Sequence, residues 1–470
     1  MKLFENIGSF PFVSSRLALP AILFSTHLFL CHPFLAAQEQ NRRILTLREA
    51  VQITLANNHD LASSRLEVER ADARVREAIG SALPKIDLSA NYTRAILKPV
   101  FFLPGDFFGQ PGTIRPVEIG STHSWGATLS ANQILFNSAV FVGMGAAKIY
   151  SRAAREMNRA KEVEVVTNTR KAFCGVLVAA EARNLMQQTM KNTEENLRNI
   201  RLMVSQGLVS EYDQLRAEVA LENLRPEVIN AENAYRLSLN NLNMVMGLPP
   251  DSMITVSGSL EYVQVSDSLV NQAMGTVLEV NPGLAALRHQ ADVNDAITSA
   301  YRSEYLPVLS LFGNYQYQAQ NNDFKLSTQD LISTSLVGLT LTLNIFNGLA
   351  TTSRVEQAEL EYRKTQEQVT GVSRTLQSST EAVLLNLNKA RLRIEAQGKT
   401  VEQAERGYKI AQTRYNSGLS TLLELNDAQL AQVRASVNKI QSIYDYLVAS
   451  ADLDQLLGRI PEPLQPTTHE

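Results

Sequence analysis

The stretch Arg414-Tyr-Asn-Ser-Gly-Leu-Ser-Thr-Leu-Leu-Glu-Leu-Asn-Asp-Ala-Gln429 reads as a hairpin between two long helical patterns. Gly418 is placed to end the first helix in a left-handed conformation, which glycine adopts at little steric cost. Leu419 can fold back on the last turn, and Ser420 or Thr421 can cap the second helix. Thr421-x-x-Glu424 has the spacing of a capping box. Ser205-Gln-Gly-Leu-Val-Ser-Glu-Tyr-Asp213 has the same form, with Gly207 and Leu208 in the matching places. The second glycine lies 211 residues after the first, which predicts a chain built twice.

Working outward, each copy repeats the same order. A short amphipathic helix at 45–58 and a second at 61–83 end at Leu83-Pro84, because the residue before proline is pushed out of the helical region. The period then becomes two: Ile86, Leu88, Ala90 and Tyr92 alternate with Asp87, Ser89, Asn91 and Thr93. A loop rich in Gly and Pro follows at 101–112. Trp125, Ala127, Leu129 and Ala131 then alternate with Gly126, Thr128, Ser130 and Asn132. Asn137 or Ser138 can cap a proline-free helix reaching Gln206, about 100 Å long at the usual rise. The return helix contains Pro226, which should kink it, and stops at Gly247-Leu-Pro-Pro250. In the second copy Leu306-Pro307, Ile345-Phe-Asn347 and Leu456-Leu-Gly458 mark the same places.

The expected organisation is therefore a signal segment at 1–37, a first repeat at 38–250, a connector at 251–267, a second repeat at 268–458 and a tail at 459–470. Strands are expected at about 85–100, 121–136, 307–318 and 333–346. Long helices are expected at 138–206, 210–246, 348–417 and 421–457. Lys2 and Arg16 precede an apolar run from Leu17 to Leu35, and Leu35-Ala-Ala37 offers a cleavage site; a membrane anchor is the competing reading of that run. Cys31 is a poor lipidation site because bulky Leu30 precedes it.

The net charge of −3 becomes −4 once Lys2, Arg16 and Glu5 leave, which argues against nucleic acid. Cys174 then stands alone, so neither a disulfide nor a cysteine metal site is possible within one chain. His59, His123, His289 and His469 are scattered and read as surface or packing residues; no metal and no cofactor are expected. Gly143-Met-Gly145 lacks its third glycine, there being Lys148, and no second strand follows, so it is not a dinucleotide site. No Cys-x-x-Cys or His-Glu-x-x-His occurs, and no enzyme is expected.

Four strands with one apolar face need burial in a soluble core or in lipid. Lipid admits strands only in a closed barrel of at least about eight, so a membrane reading demands several chains. At this point the chain resembles the TolC-like outer membrane factor family over residues 45–458. The resemblance rests on the duplicated order, Leu-Pro before a strand, Phe-Asn opening the long helix, and Tyr-x-x-Gly-x-x-(Ser/Thr) at the tip. It implies a mainly α fold with a membrane β-barrel: a homotrimer sharing a 12-stranded barrel in the outer membrane lipid, above an α-helical tunnel in the periplasm. The implied function is the exit duct of tripartite efflux or type I secretion. The implied partners are a periplasmic adaptor (membrane fusion protein) and an inner-membrane pump or ABC exporter.

The resemblance further implies that Glu424 and Asp427 form an acidic constriction, that Tyr415 helps hold it shut, and that Asp213 is an acidic partner. Gly207, Leu208, Gly418 and Leu419 would form the adaptor-contact tips. Ser420 stands where the best-known members carry a gating arginine, so the link between hairpins must differ. Capping remains an equal reading for Glu424 and Asp213, and packing for Tyr415. Phe101, Phe102, Phe107, Phe108, Tyr315 and Tyr317 are candidates for an interfacial aromatic belt, or for ordinary loop packing. A periplasmic coiled coil or trimeric surface protein without transport activity is the alternative, and the four strands count against it.

Overall fold

The computed structural model describes residues 43–325 and 331–461. The expected signal segment at 1–37 and residues 462–470 of the tail lie outside the described residues. The first copy runs β1 (Arg43–Leu45), α1 (Leu47–Asn57), α2 (His59–Gly80), β2 (Lys85–Arg94), β3 (Val100–Pro104), β4 (Ile114–Glu118), β5 (His123–Phe136), α3 (Ser138–Ser205) and α4 (Glu211–Val245). After β6 (Ile254–Val256), the second runs α5 (Asp267–Val280), α6 (Pro282–Arg302), β7 (Val308–Asn321), β8 (Ile332–Thr342), α7 (Ala350–Asn416) and α8 (Leu422–Leu456). The duplication is close in length: α3 and α7 have 68 and 67 residues, and α4 and α8 have 35 each.

Several elements differ from the sequence expectation. The loop at 101–112 is part of an antiparallel ribbon, β3 against β4, whose turn uses left-handed Gly109 and Gly112. The glycines that look like breakers are what let the ribbon reverse. The connector holds β6, which pairs in parallel with β1 and carries Ile254 into the core beside buried Leu45. β2 stops at Arg94 and β8 at Thr342, short of the expected 100 and 346. α7 starts at Ala350 rather than 348, because Gly348 and Leu349 both take positive φ. α4 runs without interruption through Pro226, which lies at an exposed position.

The strands β2-β5-β7-β8 form one antiparallel sheet in that order. Its register stacks whole rows of one character. Leu88, Leu129 and Tyr315 share a row on one face, as do Ile86, Ala131, Gly313 and Val337. The opposite face carries Asn91, Thr128, Gln316 and Thr334. The apolar face is uncovered: Leu88, Val337 and Leu341 are 76%, 74% and 69% exposed. Both outer edges, β2 and β8, lack a strand partner among the described residues. A sheet with two open edges and one bare apolar face is unfinished as a soluble structure.

The helices bury their own cores. Leu45, Phe173, Val176, Leu242 and Met246 pack at the upper end of the first hairpin. Val277, Leu387, Tyr446 and Leu453 form the equivalent cluster of the second. Each copy is stapled by one asparagine. Asn58 caps α2, accepting from the Leu61 N–H, while its amide donates to the Val245 carbonyl at the end of α4 (3.0 Å). Asn281 does the same for α6 and the Leu456 carbonyl at the end of α8 (2.9 Å). The two hairpins meet where α3 packs on α8. There Arg170 pairs with Asp454 at 2.7 Å, both side chains mostly buried, and Lys171 pairs with Asp452. No helix among the described residues is long and apolar enough to cross a membrane.

Candidate functional site at the helical tips

Both hairpins turn through the same local device. Gly207 and Gly418 each take φ of 70°. The N–H of Leu208 donates to the Met203 carbonyl (2.9 Å) and that of Leu419 to the Arg414 carbonyl (2.8 Å), closing the long helices in Schellman form. Arg414 also reaches the Leu419 carbonyl (3.2 Å). The leucine side chains do not fold back as expected. Leu208 and Leu419 are 66% and 70% exposed, because the turn is completed by backbone bonds and leaves the side chains at the extreme ends.

The acidic candidates divide. Asp213 is held in the cap of α4: its N–H donates to the Ser210 hydroxyl (3.2 Å), which donates in turn to the Asp213 carboxylate (2.8 Å). At α8 only half of the expected capping box forms. The Glu424 N–H donates to Thr421 (3.3 Å), but the Glu424 carboxylate accepts from the Ser420 hydroxyl (2.5 Å) instead of the Thr421 backbone. Asp427 lies three residues on, so it shares a helix face with Glu424. Both are exposed, and Asp427 has no hydrogen bond or ion pair among the described residues.

Tyr415 is buried in an apolar cluster with Leu197, Ile200, Ala217, Leu422 and Leu425, which joins all four long helices. Its hydroxyl has no hydrogen-bond partner in the chain, nor has that of Tyr408 one heptad earlier. Burial first, and the Asp213 charge second, hold the Tyr415 hydroxyl above the usual tyrosine range. Tyr415 and Asp213 are thus brought within electrostatic reach across the two hairpins, while Glu424 and Asp427 face solvent. Gln429 ties α8 to α3 through Thr193 (2.9 Å).

Sequence reasoning missed Tyr408, Gln429, the two asparagine staples and the α3–α8 ion pairs. The staples carried a readable signal, since Asn58 and Asn281 lie 223 residues apart, the offset of the two Leu-Pro pairs. The ion pairs, 284 and 281 residues apart in sequence, carried none. Among the candidates for an aromatic belt, Tyr315 and Tyr317 sit edge to face on the apolar side of the sheet (5.2 Å). Phe101, Phe102, Phe107 and Phe108 lie exposed on and beside the ribbon instead. His123 is a packing residue, buried under Tyr92, Trp125 and Phe324 with the Tyr92 hydroxyl 2.7 Å from its Nδ1. Among the described residues no group of three or more His, Cys, Asp or Glu could hold a metal ion.

Comparison with known proteins agrees with this architecture. Outer membrane protein TolC of Vibrio cholerae is 22% identical over 341 residues, 72% of this chain and 77% of that protein. Alkaline protease secretion protein AprF of Pseudomonas aeruginosa is 21% identical over 341 residues, 72% of this chain and 70% of that protein. The crystal structure of the outer membrane protein VceC of Vibrio cholerae superposes with a TM-score of 0.74 at 17% identity, covering 88% of this chain and 96% of that one. The profile described as "Outer membrane efflux protein" matches residues 50–248 and 273–459, one segment in each repeat. With both halves of the duplicated fold matched, the chain belongs to the outer membrane efflux protein family.

Proposed function

We propose that three copies of this chain close a 12-stranded barrel in the outer membrane and form the exit duct of a tripartite efflux or type I secretion system. The observation that carries the reading is the four-stranded sheet with two open edges and a bare apolar face. Lipid tolerates such a sheet only when every edge is paired, and other copies of the same strands supply the missing partners. In this reading the tips gate the duct. Glu424 and Asp427 converge as a ring of carboxylates, and Tyr415 anchors the hairpins beside Asp213. The exposed turns at Gly207-Leu208 and Gly418-Leu419 meet a periplasmic adaptor, which links the duct to an inner-membrane pump or ABC exporter. Ser420 contributes a short bond to Glu424 within its own helix end, so the hairpins are held by packing of Tyr415 rather than by an arginine link.

Ion conductance across a planar bilayer tests the reading. Purified protein should insert and give discrete current steps, and cross-linking in detergent should stop at three chains. A stable monomer, or protein that inserts without conducting, would overturn it.

A further inference from the structure

We propose that the outer end of the barrel wall carries a binding site for a phosphorylated, multiply acylated lipid of the outer leaflet. An acyl chain lies in a recess of the apolar face, and Arg94 takes the phosphate. The inference rests on the barrel reading above and adds a ligand to it.

The sheet has two distinguishable ends. At one, β5 runs into α3 and β2 follows α2; at the other, the strands open into loops and the β3–β4 ribbon. The helices belong on the periplasmic side, so the loop end faces outward. Near that end the apolar face is not continuous. A recess of about 370 Å³ opens over Ala90 and Ala127, rimmed by Tyr92, Trp125, Tyr317 and Leu331. The register explains it: Ala90, Ala127 and Tyr317 share one row, and the next row outward holds Tyr92, Trp125 and Ala319. Alanines set between aromatic rings leave a hollow that no side chain of this chain fills. On a wall facing hydrocarbon, an acyl chain is the occupant whose chemistry matches.

Charge fixes which lipid. Side chains alternate along β2, so the next position on the same face beyond Tyr92 is Arg94. Arg94 is exposed and has no hydrogen bond or ion pair among the described residues. Its row neighbour His123 is not available to a ligand, being buried and bonded to Tyr92. Lys98 lies just beyond, with its Nζ 2.9 Å from Asn322 Oδ1. Lys98 and Lys325 outnumber Asp323 at this rim, so the site is net positive. An unpartnered guanidinium one pleat above an apolar recess suits a phosphate attached to acyl chains, which it can hold with two parallel hydrogen bonds. Closing the barrel uses the strand edges and leaves this outward face open to lipid.

Native mass spectrometry of the detergent-solubilised protein tests the proposal with three added lipids: a bis-phosphorylated glucosamine acyl lipid, its dephosphorylated form, and phosphatidylglycerol. The phosphorylated glycolipid should bind the wild type best. Arg94→Gln should weaken that binding at least about tenfold, the loss expected for one charge-assisted contact. Ala127→Leu, which fills the recess and keeps all charges, should weaken it as well. Dephosphorylated lipid should bind wild type no better than the phosphorylated form binds Arg94→Gln. Equal affinity in wild type and both variants, or equal binding of phosphatidylglycerol, overturns the site. Conductance of the same samples separates the two ideas: conducting channels without lipid preference sink this inference alone, whereas a non-conducting wild type sinks the duct reading.

Discussion

Replacing Tyr415 by Phe separates the ring from the hydroxyl at the tip. The side chain is 6% exposed, and its ring lies in the cluster joining the four long helices. Its hydroxyl is buried without a partner. A buried hydroxyl left unsatisfied costs about 1–3 kcal/mol, so deleting it while keeping the ring should stabilise the tip by about 1 kcal/mol. That is about a fivefold fall in the population with separated hairpins. Hydrogen exchange of the amides around 195–222 and 405–430 reads this directly and should slow by about that factor. Tyr415→Ala removes the ring as well and should loosen the tip by about 3–5 kcal/mol, with faster exchange and more open channels. The two variants must therefore move in opposite directions. Because burial and Asp213 keep the Tyr415 proton on, an unfolded tip loses it near pH 10 while the folded tip still holds it. Stability from this residue is therefore full below about pH 10 and falls as pH rises toward the folded value, and Tyr415→Phe should abolish that fall. If Tyr415→Phe speeds exchange and opens channels as Tyr415→Ala does, the hydroxyl holds the gate by a bond and the packing argument is wrong.

Three further outcomes follow from other parts of the molecule. Asp427→Asn should reduce cation selectivity and divalent block in single channels, and adding Glu424→Ala should reduce them further; unchanged reversal potentials would remove both residues from the constriction. Asp454→Ala strands Arg170 between α3 and α8 and should cost about 3–5 kcal/mol in thermal unfolding, whereas replacing both by apolar residues of similar size should come close to neutral. Gly418→Ala meets open space and suffers only the left-handed backbone penalty of about 1–2 kcal/mol. Gly247→Ala would place its Cβ 2.4 Å from the Asn57 carbonyl oxygen and should impair folding, seen as lost yield in outer membranes.

What was legible in the sequence was what depends on one residue type at one place. Gly207 and Gly418 end helices because glycine tolerates the positive φ that a Schellman turn needs. The sheet was legible because period-two alternation survives over β2, β5, β7 and β8. The β3–β4 ribbon was not, since Val100–Pro104 is too short and too uniformly apolar to alternate. At the tips, the sequence placed Glu424 and Thr421 at capping distance but could not say that Ser420 would take the carboxylate. The meeting of Tyr415 with Asp213 depends on how two hairpins pack side by side, and no local pattern encodes that.

The asparagine staples make each return helix a lever with a fixed upper end. Asn58 and Asn281 pin the last turns of α4 and α8 to the starts of α2 and α6. From that pivot, 35 residues run down to the turn, a lever of about 52 Å. A tilt of about 10° there displaces the tip by about 9 Å, far more than any rotamer change could achieve. Small forces at the turns thus work at high mechanical advantage, while the pinned ends transmit little strain to the barrel. Distance measurements between spin labels should therefore broaden steadily from the staples toward Gly207 and Gly418, and a uniform spread along the helices would mean the pivots slip.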